Sequence, residues 1–330
     1  MATIAIVTPI YATPENGRLE LFDQTLRSVA RQQTNLNIVH IIVDDGSPVD
    51  VEGFIKSYHE PRFRYVRRER MPGDLRTASN AMNNGIDYAL QRNSEVFTKS
   101  EANGLGALCL LYSDDLLPED SIEKRFGQVN GGFVYTDVAF FDNDRRIVRV
   151  KPGNFFCEDS KISNGNFYEF NHHTIMWDIN FIRQLKEFAR VKYNQKGIFD
   201  PMLSFGEDGD VSLSSFEVAL NKGINTTYHP FVSYFFRLHS KTITGESSHG
   251  YIKSQYQIVA GKHPDYKALP IKSICLHRLL ADVPWSLFTF IPESAKEKVR
   301  PIRHSIKKRI QGTDDGEIVS KLEAALTSFS

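Results

Sequence analysis

The chain has 330 residues, of which 41% are hydrophobic and 24% charged, long enough to bury a substantial core as one large or two modest domains. Its formal net charge of +0 leaves no global basic field for nucleic acid, and no acidic excess of the kind that keeps a chain unfolded. Cys109, Cys157 and Cys275 are too few for a disulfide framework and lack the spacing of a zinc site, which fits a reducing compartment.

Ile4–Ile10 is a continuous apolar run and reads as a first strand. Met1 and the short run Thr3–Val7 lack the basic start and cleavage site of a signal peptide, and no apolar stretch reaches the length of a membrane span. A cytoplasmic protein is therefore expected. Leu19, Phe22, Leu26 and Val29 recur at the spacing of one helix face. Ile38–Val43 is a β-branched second strand that stops at Asp44-Asp45-Gly46-Ser47. Arg62–Val66 is a third strand, Thr77–Leu90 a helix, and Ala107–Tyr112 a buried strand ending in Ser113-Asp114-Asp115, with Cys109 as a small core residue. This alternation predicts βαβ units and a mostly parallel sheet, covered on both faces because its strands lack polar alternation. In such sheets ligands bind beyond the carboxyl ends of the strands, so Thr8-Pro9, Asp44-Asp45 and Asp114-Asp115 are expected along one edge.

Beyond Leu117 the pattern is mixed. Gly132–Phe141 and Ile147–Val150 flank a hairpin turn at Asp142-Asn143-Asp144. Helices are expected over Asn180–Phe188 and from near Gly209, and a strand over Thr226–Phe236. From about Gly245 the residues read mainly as helices.

Four polar clusters are candidates for chemistry. Asp44-Asp45 is either turn chemistry or a carboxylate that accepts from a nucleobase or ribose. Asp114-Asp115 either caps a helix near Pro118 or holds a hard cation, Mg2+ or Mn2+, that shares its coordination with substrate phosphates. Gly206-Glu207-Asp208-Gly209-Asp210 opens a helical run; capping and the helix dipole explain some of these acids. One of them beside a donor could act as general base, with spacing alone leaving Glu207 and Asp208 equivalent. His239 sits in a polar loop after an aromatic strand run and by itself reads as an ordinary hydrogen-bonded residue. Gly104-Leu105-Gly106 precedes its strand and is no dinucleotide fingerprint, and the adjacent His172-His173 lack zinc-protease spacing.

In this order the motifs resemble the family 2 glycosyltransferases of the GT-A fold, over roughly the first three quarters of the chain. Val7-Thr8-Pro9-Ile10-Tyr11 is similar to the family's opening strand and donor-contacting loop, which implies donor contacts at Thr8, Pro9 and Tyr11. Ile42–Ser47 is close to its most recognisable signature, which puts Asp45 on the nucleobase. Ala81-Met82-Asn83-Asn84-Gly85-Ile86 resembles the Ala-Arg-Asn-x-Gly-Ile segment and implies a donor contact at Asn83. Met82 replaces the arginine, and Arg76 is the candidate substitute for its diphosphate contact. Ser113-Asp114-Asp115 stands where the family carries Asp-x-Asp, which implies the metal at Asp115 and the donor at Asp114. Gly206-Glu207-Asp208 resembles the Glu-Asp motif whose second acid is the base, here Asp208. Tyr234–Thr244 resembles the loop whose histidine joins the metal, here His239.

The resemblance implies an α/β protein with a Rossmann-like, mostly parallel sheet flanked by helices. Residues 1–245 would form the GT-A domain, with a nucleotide-binding half (1–117) and an acceptor-side half (118–245); residues 246–330 would form a mainly helical C-terminal extension. The implied reaction is a metal-dependent, inverting transfer from a nucleotide sugar, UDP being favoured, to a hydroxyl of a saccharide or lipid-linked saccharide in cell-surface polysaccharide synthesis. Rival readings are a nucleotidyltransferase and a non-catalytic sugar-nucleotide-binding protein. In the extension, Val283–Ile291 followed by Lys296, Lys298, Arg300, Arg303, Lys307, Lys308 and Arg309 suits either an anionic membrane face or a helix packed on the core with its charges in water, the second being favoured.

Overall fold

A computed structural model describes residues 1–70, 78–93, 95–151, 172–203, 206–239, 257–259, 261–263 and 315–326. In chain order the elements are β1 (Thr3–Ile10), α1 (Arg18–Ala30), β2 (Asn37–Asp44), α2 (Val51–Lys56), β3 (Phe63–Arg67), α3 (Ser79–Gln91), α4 (Lys99–Gly104) and β4 (Leu105–Leu110). They continue with α5 (Ser121–Phe126), β5 (Phe133–Phe141), β6 (Ile147–Lys151), β7 (Met176–Asp178), α6 (Ile179–Tyr193), α7 (Glu207–Lys222), β8 (Thr226–Arg237) and α8 (Asp315–Leu326).

The strands form one sheet in the order β3-β2-β1-β4-β7-β5-β6, with β8 paired to β5. β3, β2, β1 and β4 are mutually parallel, as the alternation of strand and helix requires. β7 runs antiparallel to both β4 and β5 and joins this half to the β5–β6 hairpin. All eight residues of β1 are buried. Alternate side chains enter opposite cores: Ala5 and Val7 pack under α3, α6 and α7, whereas Ile4, Ile6 and Ile10 pack under α1 and α5. Each such aliphatic side chain contributes about 1.5–3 kcal/mol on leaving water. α3 lies so close to β1 and β2 that a Cβ on Gly85 would sit 2.4 Å from Val7 Cγ1 and 3.0 Å from Val43 Cγ2.

A third core holds α8. Ile318, Leu322, Ala325 and Leu326 pack on Leu116, Phe141, Val232 and Phe235, and Lys321 Nζ lies 3.1 Å from an Asp120 carboxylate oxygen. The last described helix therefore packs on β5, β8 and the segment after β4. The aromatic and basic stretches at 283–291 and 296–309 lie outside the described residues, as do Cys157 and Cys275. No helix among the described residues is long and apolar enough to cross a membrane.

Boundaries move by one or two residues from the sequence expectation, except that the helix expected over Asn180–Phe188 runs on to Tyr193. The helix expected near Pro118 is α5, which begins at Ser121, whereas the short helices α2 and α4 and the strand β7 carry no sequence expectation. α2, α4 and α5 have six residues each, fewer than two helical turns, so periodicity has too little to act on.

Candidate active site

The carboxyl ends of β1, β2 and β4 lie side by side, with Ile10 opposite Asp44 and Val7 opposite Leu110. Asp44 builds the turn. It accepts from Ser47 N–H at 2.8 Å and from the Tyr65 hydroxyl at 2.8 Å, and it pairs with Arg67 Nη1 at 3.2 Å. Asp45 faces out of the strand end between two guanidinium groups: Arg68 Nη1 on Oδ1, and Arg70 Nε at 2.7 Å from Oδ2. The Arg70 guanidinium also lies 3.9 Å from the centroid of the Tyr11 ring, so Tyr11, Asp45 and both arginines form one cradle.

Two of the expected donor contacts have their polar atoms engaged elsewhere. Thr8 is fully buried, its Oγ1 lying 2.7 Å from His40 Nε2 within the sheet. The Asn83 amide donates to Phe199 O at 2.8 Å and accepts from Phe199 N–H at 3.0 Å, clamping the loop before α7 to α3. Pro9 is buried in β1, opposite Val43. Arg76 lies outside the described residues.

Past β4 the two adjacent acids diverge. Asp115 is 2% exposed; its Oδ1 accepts from Arg237 N–H at 2.8 Å and its Oδ2 from the Tyr234 hydroxyl at 2.8 Å. Burial, reinforced by the charge of Asp114, pushes the Asp115 carboxyl well above the usual range. Asp114 points the other way, where its Oδ2 lies 2.9 Å from His239 Nε2 and is paired with Arg18 Nη1. Burial works to raise the Asp114 carboxyl, but His239 and Arg18 outweigh it and hold the group below its ordinary value, hence anionic. The expected partner of His239 was Asp115; the contact is with Asp114. The chain turns at Ser113-Asp114, where Asp115 N–H donates to Tyr112 O at 3.2 Å, and a two-hydrogen-bond bridge between Leu116 and Phe235 pins it just beyond, which fixes the acid that faces inward.

The charges of the acids of α7 are felt at the same strand end. Burial raises the Tyr112 phenol well above its ordinary value, followed by the charges of Glu207, Asp208, Asp115 and Asp114. One side chain at the end of β4 thus feels both acidic clusters. Its backbone N–H donates to the Tyr234 oxygen at 3.1 Å, and its hydroxyl lies 3.3 Å from Nε2 of His172, a ring that burial pushes down to about 3 and keeps neutral. Glu207 is pushed up to about 8, first by burial and then by the charge of Asp208. Near neutrality this leaves Glu207 protonated beside Asp208. Asp210, third in the cluster, has a structural role: it is 1% exposed and pairs with Lys262 Nζ at 2.5 Å and His263 Nε2 at 3.0 Å, docking the segment around Lys262 onto α7.

Sequence reasoning missed Arg18, Arg68, Arg70, Tyr112 and Arg237. Arg68 and Arg70 follow the third parallel strand directly, so the strand-end rule that found Asp45 could have found them. Arg237 lies two residues before His239 in the Tyr234–Thr244 segment, so that resemblance could have found it, whereas Arg18 carries no motif and is brought in by tertiary contacts.

The chemistry of the donor set at Asp114 suits a divalent cation. One anionic oxygen and one imidazole converge, and the carboxylate already attracts a guanidinium. Among the described residues no group of three or more His, Cys, Asp or Glu is placed to hold a metal ion by itself, so an ion there would take its remaining ligands from phosphate and water, as Mg2+ and Mn2+ do.

Solved structures share this architecture. That of S. aureus TarS 1–349 in complex with UDP is similar with a TM-score of 0.52 at 12% identity, covering 98% of this chain and 90% of that one. A second crystal structure of S. aureus TarS 1–349 gives 0.51 at 12% identity with the same coverage. In a further S. aureus TarS structure the present chain spans only 55% of the chain. At such identity the likeness is one of fold. No curated protein sequence is a significant match. The profile described as glycosyl transferase family 2 matches residues 6–186, more than half of the chain and inclusive of the Asp45 cradle and the Asp114–Asp115 strand end. The parallel half of the sheet and its acidic rim are thus those of a known lineage, and the chain belongs to glycosyl transferase family 2.

Proposed function

We propose that the chain is a metal-dependent, inverting transferase that takes its sugar from a UDP-sugar and passes it to a hydroxyl of a saccharide or lipid-linked saccharide. The observation that carries this reading is the convergence on Tyr112 of the acids of α7 with those after β4, beside the Asp45 cradle. A base site, a phosphate-side cation site and a proton acceptor then lie along one sheet edge.

The cradle supports uracil. Asp45 pairs with Arg68 and Arg70, and with these guanidinium groups turned to a ligand the three would offer a donor–acceptor–donor array. The imide edge of uracil, O4, N3–H and O2, is its complement, whereas guanine offers one acceptor followed by two donors. Buried polar groups left unpaired by the wrong base make such arrays selective. Tyr11, 37% exposed, offers its ring as a stacking face.

We assign the metal to Asp114 with His239, rather than to Asp115. Asp115 has both carboxylate oxygens engaged and supports the strand end instead. A divalent cation at Asp114 would supply the positive charge that stabilises the leaving diphosphate. Asp208 accepts the proton of the acceptor hydroxyl as that oxygen bonds to the anomeric carbon. The bond from that carbon to the diphosphate oxygen breaks with its electron pair staying on the diphosphate, and a single backside attack inverts the centre. Protonated Glu207 avoids placing a second anion beside the base.

The test is release of UDP in the presence of Mn2+ across a panel of nucleotide sugars, by wild type and Asp208→Asn. Slow hydrolysis of one UDP-sugar is expected for wild type, with transfer abolished and donor binding retained in the variant. Near-normal turnover in D208N would remove Asp208 from this role.

A further inference from the structure

We propose that Arg18 is the residue that receives the donor's diphosphate, and that Asp114 holds it in place until a divalent cation takes that carboxylate. The inference rests on the assignment of the metal to Asp114 and His239. Arg18 is the first residue of α1, delivered to the strand end by Gly17, whose φ of 62° lies in the left-handed region. Its Nη1 pairs with Asp114 Oδ2, the same oxygen that His239 Nε2 meets at 2.9 Å. A cation therefore already sits beside the atom a metal would ligate, on a side chain still 21% exposed.

The other described guanidinium groups around the rim are committed. Arg237 holds the Asp114 carbonyl at 2.8 Å and Gln24 Oε1 at 2.6 Å and lies over the Phe141 ring. Arg68 and Arg70 hold Asp45. Met82, at the position where the family resemblance would place an arginine, is fully buried and carries no charge. Arg18 differs from these in that its partner is the carboxylate a metal would claim. A metal ion and a guanidinium on that one oxygen repel each other, so metal entry weakens the Arg18–Asp114 pair and frees the guanidinium to turn. The nearest new anion is the diphosphate that shares the metal, and a planar guanidinium fork fits phosphate oxygens in pairs. Arg18 would thus favour Mn2+ binding together with diphosphate over Mn2+ binding alone.

The experiment measures free Mn2+ by electron paramagnetic resonance and UDP affinity at saturating Mn2+ by calorimetry, for wild type, R18A, R18K and D114N. R18A should bind Mn2+ alone about fivefold more tightly, because the competing cation is gone. The same variant should bind UDP with Mn2+ about tenfold more weakly, having lost a charge-assisted contact. R18K should keep most of the competition and recover only part of the UDP affinity, since an ammonium is a point charge without the fork. Loss of Mn2+ binding in D114N together with wild-type behaviour of R18A overturns the role of Arg18 and leaves the metal assignment standing. Tighter Mn2+ with unchanged UDP affinity also overturns it, reducing Arg18 to a counter-ion, as does weakening of both. Wild type that binds no Mn2+, or D114N that binds it normally, removes the metal assignment and this proposal with it.

Discussion

Asp114 and Asp115 are neighbours with the same side chain, and replacing each by alanine should give opposite phenotypes. In Asp115→Ala the Arg237 N–H and the Tyr234 hydroxyl, each 2.8 Å from a carboxylate oxygen, lose their acceptor inside a site 2% exposed. A buried donor left without a partner costs about 1–3 kcal/mol, so the pair amounts to about 2–6 kcal/mol. With an unfolding entropy of about 2 cal/mol/K per residue, a chain of this length loses about 1.5 °C per kcal/mol, hence about 3–9 °C in Tm. Asp114→Ala removes a carboxylate that is 14% exposed and paired with an Arg18 side chain 21% exposed. Removing Asp114 also removes the charge that raises Asp115, which offsets part of the lost pairing and holds the net loss to about 1 kcal/mol. Thermal melts of both variants, read beside calorimetric titration of UDP with Mn2+, separate the roles. D115A should melt low, and D114A should melt near wild type yet lose the metal-dependent part of UDP binding. A D115A protein that melts like wild type, or a D114A protein that melts as low as D115A is expected to, would refute the reasoning.

Two further predictions come from groups outside the metal site. Glu207 has an ordinary value of 4.5 and is raised to about 8 in the folded protein, so the folded state binds the extra proton between those values. Its contribution to stability is present in full below the lower value and is lost as pH rises to the upper one. Tm measured from about pH 5 to about pH 9 should fall more steeply for wild type than for E207Q; parallel curves would contradict this. Gly85→Ala would improve helix propensity by about 1 kcal/mol, but its Cβ falls 2.4 Å from Val7 Cγ1 and 3.0 Å from Val43 Cγ2, both on fully buried side chains. Overpacking of about 1–3 kcal/mol should win and lower Tm, and a variant as stable as wild type would show that α3 can shift.

Much of the parallel half was legible because its strands are uninterrupted apolar runs closed by acids, a pattern that depends only on neighbouring residues. β1, β2 and β4 could be placed side by side from connection rules alone, and with them the sheet edge carrying Asp45 and Asp114. Short elements were not legible. α4 has a complete capping box, with Thr98 accepting from Glu101 N–H and Glu101 accepting from Thr98 N–H, yet only six residues follow the cap. Thr8 and Asn83 show a different limit. Both stand at motif positions of the family, but their polar atoms face His40 and Phe199, and such contacts are settled by packing across the fold.

The division of labour between Asp114 and Asp115 shows where that limit lies. The chain leaves β4 through a turn closed by Asp115 N–H on Tyr112 O at 3.2 Å, and this turn splits the adjacent acids between the rim and the interior. Which is which depends on where the chain is pinned next. Here the pin is the Leu116–Phe235 bridge, with N–H to O distances of 3.0 and 2.9 Å, joined across more than a hundred residues. The same bridge carries Tyr234 and the Arg237 N–H onto Asp115, and β8 then delivers His239 to Asp114. α8 packs on Leu116 and Phe235 from outside, so the C-terminal helix supports the contact that orients the acids. A shift of β8 by one residue would exchange the faces of its side chains and separate His239 from Asp114. The geometry of the candidate metal site is thus set by strand register in the half of the protein whose sequence pattern is least regular.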